Sequence, residues 1–187
     1  MMLLSFGLGL WCVLHLLQFL AGPLRQQLLD KLGENGYKGI FSVLMLSSIA
    51  LMVFGWRSIN PVSIYVSPGW GSIATSILTL AAFILFSASG FQNNIKRVIR
   101  HPQLIGVMAF SLGHLLSNGE NRSLLLFGVL GLWALIDIVL INKRDGKWVK
   151  LESVSVRGDF FALVIGAALF AGFVYMHPFV SGVSVQI

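Results

Sequence analysis

The chain has 187 residues, of which 56% are hydrophobic and only 11% are charged. A soluble domain of this size carries about a quarter charged residues, so this composition excludes an ordinary soluble protein. The formal net charge of +6 comes from lysines and arginines between long apolar runs, and nothing in the pattern indicates a nucleic-acid partner. We therefore predict an all-α fold, a polytopic helical bundle embedded in a lipid bilayer.

Six apolar segments follow one another along the chain, and we predict about six transmembrane helices in a single domain over residues 1–187. The segments cover residues 2–22, 39–59, 71–91, 102–117, 121–142 and 159–181. Most reach the roughly 20 residues that a helix needs to cross about 30 Å of hydrocarbon. The fourth is short, which predicts a tilted helix or one shielded inside the bundle. A short amphipathic helix over 23–32, ended by Gly33 and Gly36, is predicted before the second segment.

The loop charges predict an orientation. The loops after the first, third and fifth segments hold eleven lysines and arginines, whereas those after the second and fourth hold two. Because positively charged loops stay in the cytoplasm, we expect both termini to face the periplasm of a bacterial inner membrane. The apolar N-terminus lacks a basic region and a cleavage site, so we read it as a retained first span.

Two histidines lie inside apolar segments, where an ionisable side chain is costly and usually has a function. At 1.5 Å per residue, His15 lies about 10 Å and His114 about 18 Å from the cytoplasmic edge, so tilted helices could bring them face to face. One hypothesis is that the two imidazoles are axial ligands of a haem iron. The other is that each histidine only makes interhelical hydrogen bonds.

Helical spacing places His114 in a polar stripe with Ser111, Ser117 and Asn118. Glycines near it either leave room for a flat ligand or let helices approach closely. At the start of the same segment, Arg100 and His101 precede Pro102 and the unpaired N–H groups of a first helical turn. We predict an anion site there, for a cofactor carboxylate or propionate, or a contact with lipid phosphate.

Several motifs together resemble the NnrU family of bacterial membrane proteins. They are His15 followed by PLR at 23–25, the loop LGENGYKG, RHPQLIG with HLLSNG after it, and the terminal HPFVSG. NnrU proteins are similar to 15-cis-zeta-carotene isomerase, a membrane enzyme with haem b. That resemblance implies haem b held by His15 and His114, with Arg25, Arg100, His101 and Asn118 as further cofactor-binding residues. It also implies a redox, nitric-oxide-linked or isomerase-like function associated with denitrification, and respiratory or denitrification proteins as partners.

Two other classes stay open at this point. The RHPxxxG pattern is similar to the cofactor motif of isoprenylcysteine carboxyl methyltransferases, which implies a membrane enzyme that binds S-adenosylmethionine. The acidic half of that motif is missing here, and the isomerase's cysteine three residues before its second ligand is Ser111 in this chain. A non-catalytic assembly factor for a respiratory complex is the third class. The sequence predicts neither the oligomeric state nor whether the protein is an enzyme.

Overall fold

The computed structural model describes residues 1–185, without the side chains of residues 18 and 20. The described residues form seven helices and no strand, which confirms the predicted all-α class. In chain order the helices are α1 (Met2–Leu20), α2 (Gly22–Arg57), α3 (Gly71–Ser89), α4 (Ile95–Val98), α5 (Pro102–Ser117), α6 (Asn121–Asp145) and α7 (Arg157–Ser181). All six predicted apolar segments are therefore helical.

The predicted amphipathic helix at 23–32 is the first part of α2. It begins at Gly22 with Pro23 in its first turn, where the missing N–H has no helical partner to lose. Gly33 interrupts it with φ of 70° and ψ of 168°, a conformation that residues with a Cβ rarely adopt. The prediction that Gly33 ends the helix is thus confirmed, but Gly36 lies inside the helix that resumes at once.

Among the described residues, four helices are long and apolar enough to span a membrane: α2, α3, α6 and α7. Two shorter apolar stretches of described residues are Met2–Leu17, which is part of the 19-residue α1, and Pro102–Ser117. At 1.5 Å per residue, the 16 residues of α5 extend about 24 Å, less than the hydrocarbon thickness. The predicted shielding explains this short helix, because α5 packs on both α3 and α6 and buries Leu104, Gly106 and His114.

The chain packs into two compact units, Met1–Asn60 and Pro61–Ile187, and each is described by itself. In the first unit, α1 packs against α2 so closely that an added Cβ on Gly7 would lie 2.9 Å from the Ser48 carbonyl oxygen. In the second unit, α3 packs against α5 and α7. One domain over the whole chain stays a prediction.

Polar contacts fasten the loops of the second unit at both ends of its helices. Tyr65, in the connection before α3, donates its hydroxyl to the carbonyl of Leu115 near the end of α5. Burial raises the pKa of the Tyr65 phenol. At the other end, the Asp159 carboxylate at the start of α7 accepts hydrogen bonds from the Asn94 amide and side chain, at 2.7 and 2.6 Å. The ends of α3, α5 and α7 are held in this way without any disulfide, since Cys12 is the chain's only cysteine.

Candidate functional site

The imidazole of His114 lies in the core of the second unit, one turn before the end of α5. Only 7% of the residue is exposed. The ring packs against two phenyl rings, with centroid distances of 4.2 Å to Phe110 and 4.3 Å to Phe127, and the two phenyl rings also contact each other at 5.7 Å. Phe110 lies four residues earlier on the same helix and Phe127 is on α6, so packing from two helices fixes the ring.

A backbone hydrogen bond sets the tautomer of His114. Its Nδ1 lies 2.9 Å from the carbonyl oxygen of Phe110. A carbonyl oxygen only accepts, so Nδ1 carries the proton and Nε2 of the neutral ring carries a lone pair. Within residues 1–185, Nε2 makes no hydrogen bond. This is the arrangement of a metal-binding histidine, whose other ring nitrogen is usually held by a carbonyl or carboxylate.

His114 lines a cavity of about 400 Å³ that belongs entirely to the second unit. Hydroxyl groups of α3 form one wall, and α7 contributes phenylalanines and a second histidine, His177. The C-terminal segment 183–185 and the loop 67–69 close the remaining sides. The cavity therefore lies at the end of the bundle where α3 begins and where α5 and α7 end.

The polar stripe predicted on α5 divides between two environments. Ser117 and Asn118 line the cavity with His114, as one face of the helix requires. Ser111 is instead buried toward α6, since a Cβ added to Gly131 would lie 3.3 Å from its Cβ. Gly113, next to His114, lets the helices approach closely: a Cβ there would lie 3.3 Å from the Cα of Thr75 on α3. Of the two explanations for the glycines, close packing is the one realised at this position.

His15 lies on α1 in the first unit and is half-buried. Its Nδ1 is 3.0 Å from the Trp11 carbonyl oxygen, so it has the same tautomer as His114, with the lone pair on Nε2. Its ring centroid is 4.5 Å from Trp11 and 6.2 Å from Phe41 on α2. Since His15 and His114 belong to different units, their predicted meeting face to face stays a prediction.

The three predicted basic cofactor contacts all have partners within the chain. The Arg25 guanidinium lies 5.6 Å from the centroid of the Tyr37 ring, a cation–π contact inside the first unit. Arg100 donates to the carbonyl of Gly146 at 2.9 Å, just beyond α6.

His101 is bonded to the same end of α6. Its Nε2 lies 2.9 Å from the side-chain oxygen of Asn142, which accepts this hydrogen bond. Together with Arg100, it joins the start of α5 to the end of α6. A carboxylate bound at this helix start would have to share or replace these two hydrogen bonds.

Of the residues that line the cavity, the sequence predicted only His114, Ser117 and Asn118. Thr79 and His177 are among those it missed: Thr79 is an ordinary threonine of an apolar segment, and His177 enters only as part of the terminal HPFVSG motif. The spacing of polar residues on α3 could have indicated Thr79, because one helical face holds Ser72, Thr75, Ser76 and Thr79. Nothing in the sequence pairs His177 with His114. In residues 1–185, no cluster of three or more His, Cys, Asp or Glu side chains could hold a metal ion.

A family model described as NnrU protein matches residues 3–185. The chain belongs to the NnrU family. The resemblance drawn from the sequence motifs is thereby confirmed over nearly the whole chain. Neither a curated protein nor a solved structure matches it. Family membership and the apolar helices together identify a membrane protein of the NnrU family.

Proposed function

We propose that this NnrU protein binds haem b, with Nε2 of His114 and Nε2 of His15 as the axial ligands of the iron. The observation that carries the proposal is the state of His114: a buried imidazole with Nδ1 held by a backbone carbonyl and Nε2 without a hydrogen bond in residues 1–185. Nε2 is thus available as a ligand from a ring that packing already fixes, and coordination to iron would give it a partner.

The donor chemistry of both histidines fits a haem iron. Neutral imidazole nitrogen is a common iron ligand, and a hydrogen bond from the opposite ring nitrogen to a carbonyl raises its basicity. Trp11 provides that carbonyl for His15 and Phe110 provides it for His114, at 3.0 and 2.9 Å. Aromatic rings beside each imidazole supply an apolar surface of the kind a porphyrin needs.

Bound haem would supply one-electron redox chemistry, or a site for a gas such as nitric oxide if one axial position opens. The chain's own residues would hold the two imidazoles in one tautomer and exclude water by phenylalanine packing. Asn118, which lines the cavity of His114, would contact a polar group of the cofactor. Arg25, Arg100 and His101 stay candidates from the sequence, but Arg100 and His101 lie at the other end of α5, about 24 Å from Asn118. A role linked to nitric oxide and denitrification, or an isomerase-like reaction, belongs to this proposal because the family resemblance implies it.

The same proposal includes a bacterial inner membrane location with both termini in the periplasm. It is supported by the uneven distribution of lysine and arginine, eleven in one set of loops against two in the other. Asn142, Gly146 and the exposed Lys147 would then lie at the cytoplasmic side.

The test is the visible spectrum of the protein purified in mild detergent from cells supplied with haem. We expect a Soret band in the wild type, and its loss or shift in His114→Ala and in His15→Ala. His177→Ala is the control and should keep the band. A wild-type protein without a Soret band, with an intact helical circular dichroism spectrum, overturns the proposal. An unchanged Soret band in both His114→Ala and His15→Ala also overturns the proposal.

A further inference from the structure

The cavity in the second unit contains a buried hydroxyl with no partner. Thr79 is 4% exposed, and its Oγ1 makes no hydrogen bond within residues 1–185. Its neighbours on the same face of α3 are satisfied: Thr75 donates to the carbonyls of Gly71 and Gly113, and Ser76 donates to that of Ser72. A buried hydroxyl without a partner costs free energy, so a ligand oxygen that reached Thr79 from the cavity would be stabilised by it.

His177 supplies the second polar group of the cavity. Its Nδ1 lies 2.9 Å from the Val183 carbonyl, so Nδ1 carries the proton and Nε2 is a hydrogen-bond acceptor. The Ser181 hydroxyl oxygen lies 3.2 Å from the same Nδ1 and donates its proton to the backbone carbonyl of His177. Within residues 1–185, Nε2 of His177 makes no hydrogen bond, so it is available to accept one from a ligand donor.

The walls of the cavity restrict the class of ligand. No lysine, arginine, aspartate or glutamate is among the described residues that line it, which favours a neutral ligand over a phosphate, a carboxylate or an amine. Phe170 and Phe173 of α7 form an aromatic wall, on which a planar ring packs well. Exposed apolar side chains on α7, such as Phe179, give this helix a surface suited to lipid, which favours a membrane-soluble ligand.

We propose that this cavity binds a neutral hydroquinone ring. One hydroxyl of the ring donates to Nε2 of His177, and the oxygen at the opposite end pairs with the hydroxyl of Thr79. The reduced ring fits better than the oxidised quinone, because a quinone has only acceptor oxygens and cannot satisfy Nε2. The site takes membrane-soluble hydroquinones. Neither Thr79 nor His177 is an iron ligand under the proposed function, but His114 lines the same cavity, so haem and a hydroquinone would compete for this space.

The experiment titrates the full-length protein in phosphatidylcholine nanodiscs with duroquinol, a tetramethyl hydroquinone, by calorimetry. Duroquinone, the oxidised form of the same ring, is titrated for comparison. Empty nanodiscs correct for partitioning of both compounds into lipid. Thr79→Val removes the hydroxyl at nearly constant shape, and His177→Phe removes the acceptor. Ser87→Ala is the control variant, because Ser87 is another buried hydroxyl of α3 without a hydrogen bond in residues 1–185, outside the cavity.

We expect duroquinol to bind the wild type more tightly than duroquinone, and each cavity substitution to weaken duroquinol by roughly 2- to 10-fold, the effect of one hydrogen bond. Ser87→Ala should bind as the wild type does. Equal binding of both ring forms, or binding that Thr79→Val and His177→Phe leave unchanged, overturns the assignment. Binding of monoolein, a neutral glyceride, at this site without binding of duroquinol would also overturn the assignment. Because Thr79→Val should keep the Soret band, a failure here is separable from a failure of the haem proposal.

Discussion

The packing of α7 against α3 forms one side of the cavity, and a pair of glycines on α7 tests it. An added Cβ on Gly166 would lie 2.5 Å from the Cα and 2.8 Å from the backbone nitrogen of Ile84 on α3. Carbon atoms in contact are normally about 3.5–4.0 Å apart, so the two backbones would have to separate by about 1 Å. At Gly172, on the same helix, nothing lies within 4 Å of the added Cβ.

Replacing each glycine by alanine gives both variants the same gain in helix propensity, about 0.5–1 kcal/mol. That gain cancels when the two are compared, and the difference isolates the clash. Overpacking typically costs about 1–3 kcal/mol, so Gly166→Ala should be less stable than Gly172→Ala by that amount. Reversible unfolding in mixed detergent micelles with increasing dodecyl sulfate, followed by circular dichroism, measures the difference. Equal unfolding midpoints for the two variants would refute the close contact of α3 and α7.

Further predictions concern two hydrogen bonds of the second unit and the orientation in the membrane. Tyr65→Phe loses the hydrogen bond to Leu115 and should lower the free energy of unfolding by about 0.5–1.5 kcal/mol in the same titration. Because burial raises the pKa of Tyr65, the wild type should lose stability relative to this variant as the pH rises above 10 and the unfolded state ionises first. Thr75→Val removes the bond to Gly113 and should cost about 0.6 kcal/mol, a typical value for such bonds in membranes; an unchanged midpoint contradicts it. A fluorescent-protein fusion at Lys147 should fluoresce, as only a cytoplasmic loop allows, and an active alkaline phosphatase fusion there contradicts the orientation.

The helices could be predicted from the sequence because apolar runs of about 20 residues leave the backbone few alternatives in lipid. Even the break at Gly33 follows from local chemistry, since glycine adopts positive φ without strain. The short length of α5 could not be explained from the sequence alone. The helix is buried by α3 and α6, and the spacing of apolar residues within one helix does not show which other helices it contacts.

The candidate site was predictable only in part, because contacts between helices are not visible in the spacing of one segment. His114 was identified because an ionisable side chain in an apolar segment is unusual, and the structure adds the tautomer that makes its Nε2 a lone-pair donor. Thr79 and His177 were missed because they lie on other helices and meet His114 only through packing. Ser111 was grouped with His114 by spacing, yet Gly131 of α6 lies opposite it, so helical spacing alone overestimated the polar stripe.

The most direct measurement of the central claim is rescue of haem binding by imidazole in His114→Gly. Removing the side chain leaves space beside Phe110 and Phe127, at the cavity, for a free imidazole. We expect the variant purified without imidazole to lack the wild-type Soret band, and added imidazole to restore the band in the presence of haem. A variant that keeps the wild-type spectrum without imidazole would show that Nε2 of His114 is not an iron ligand.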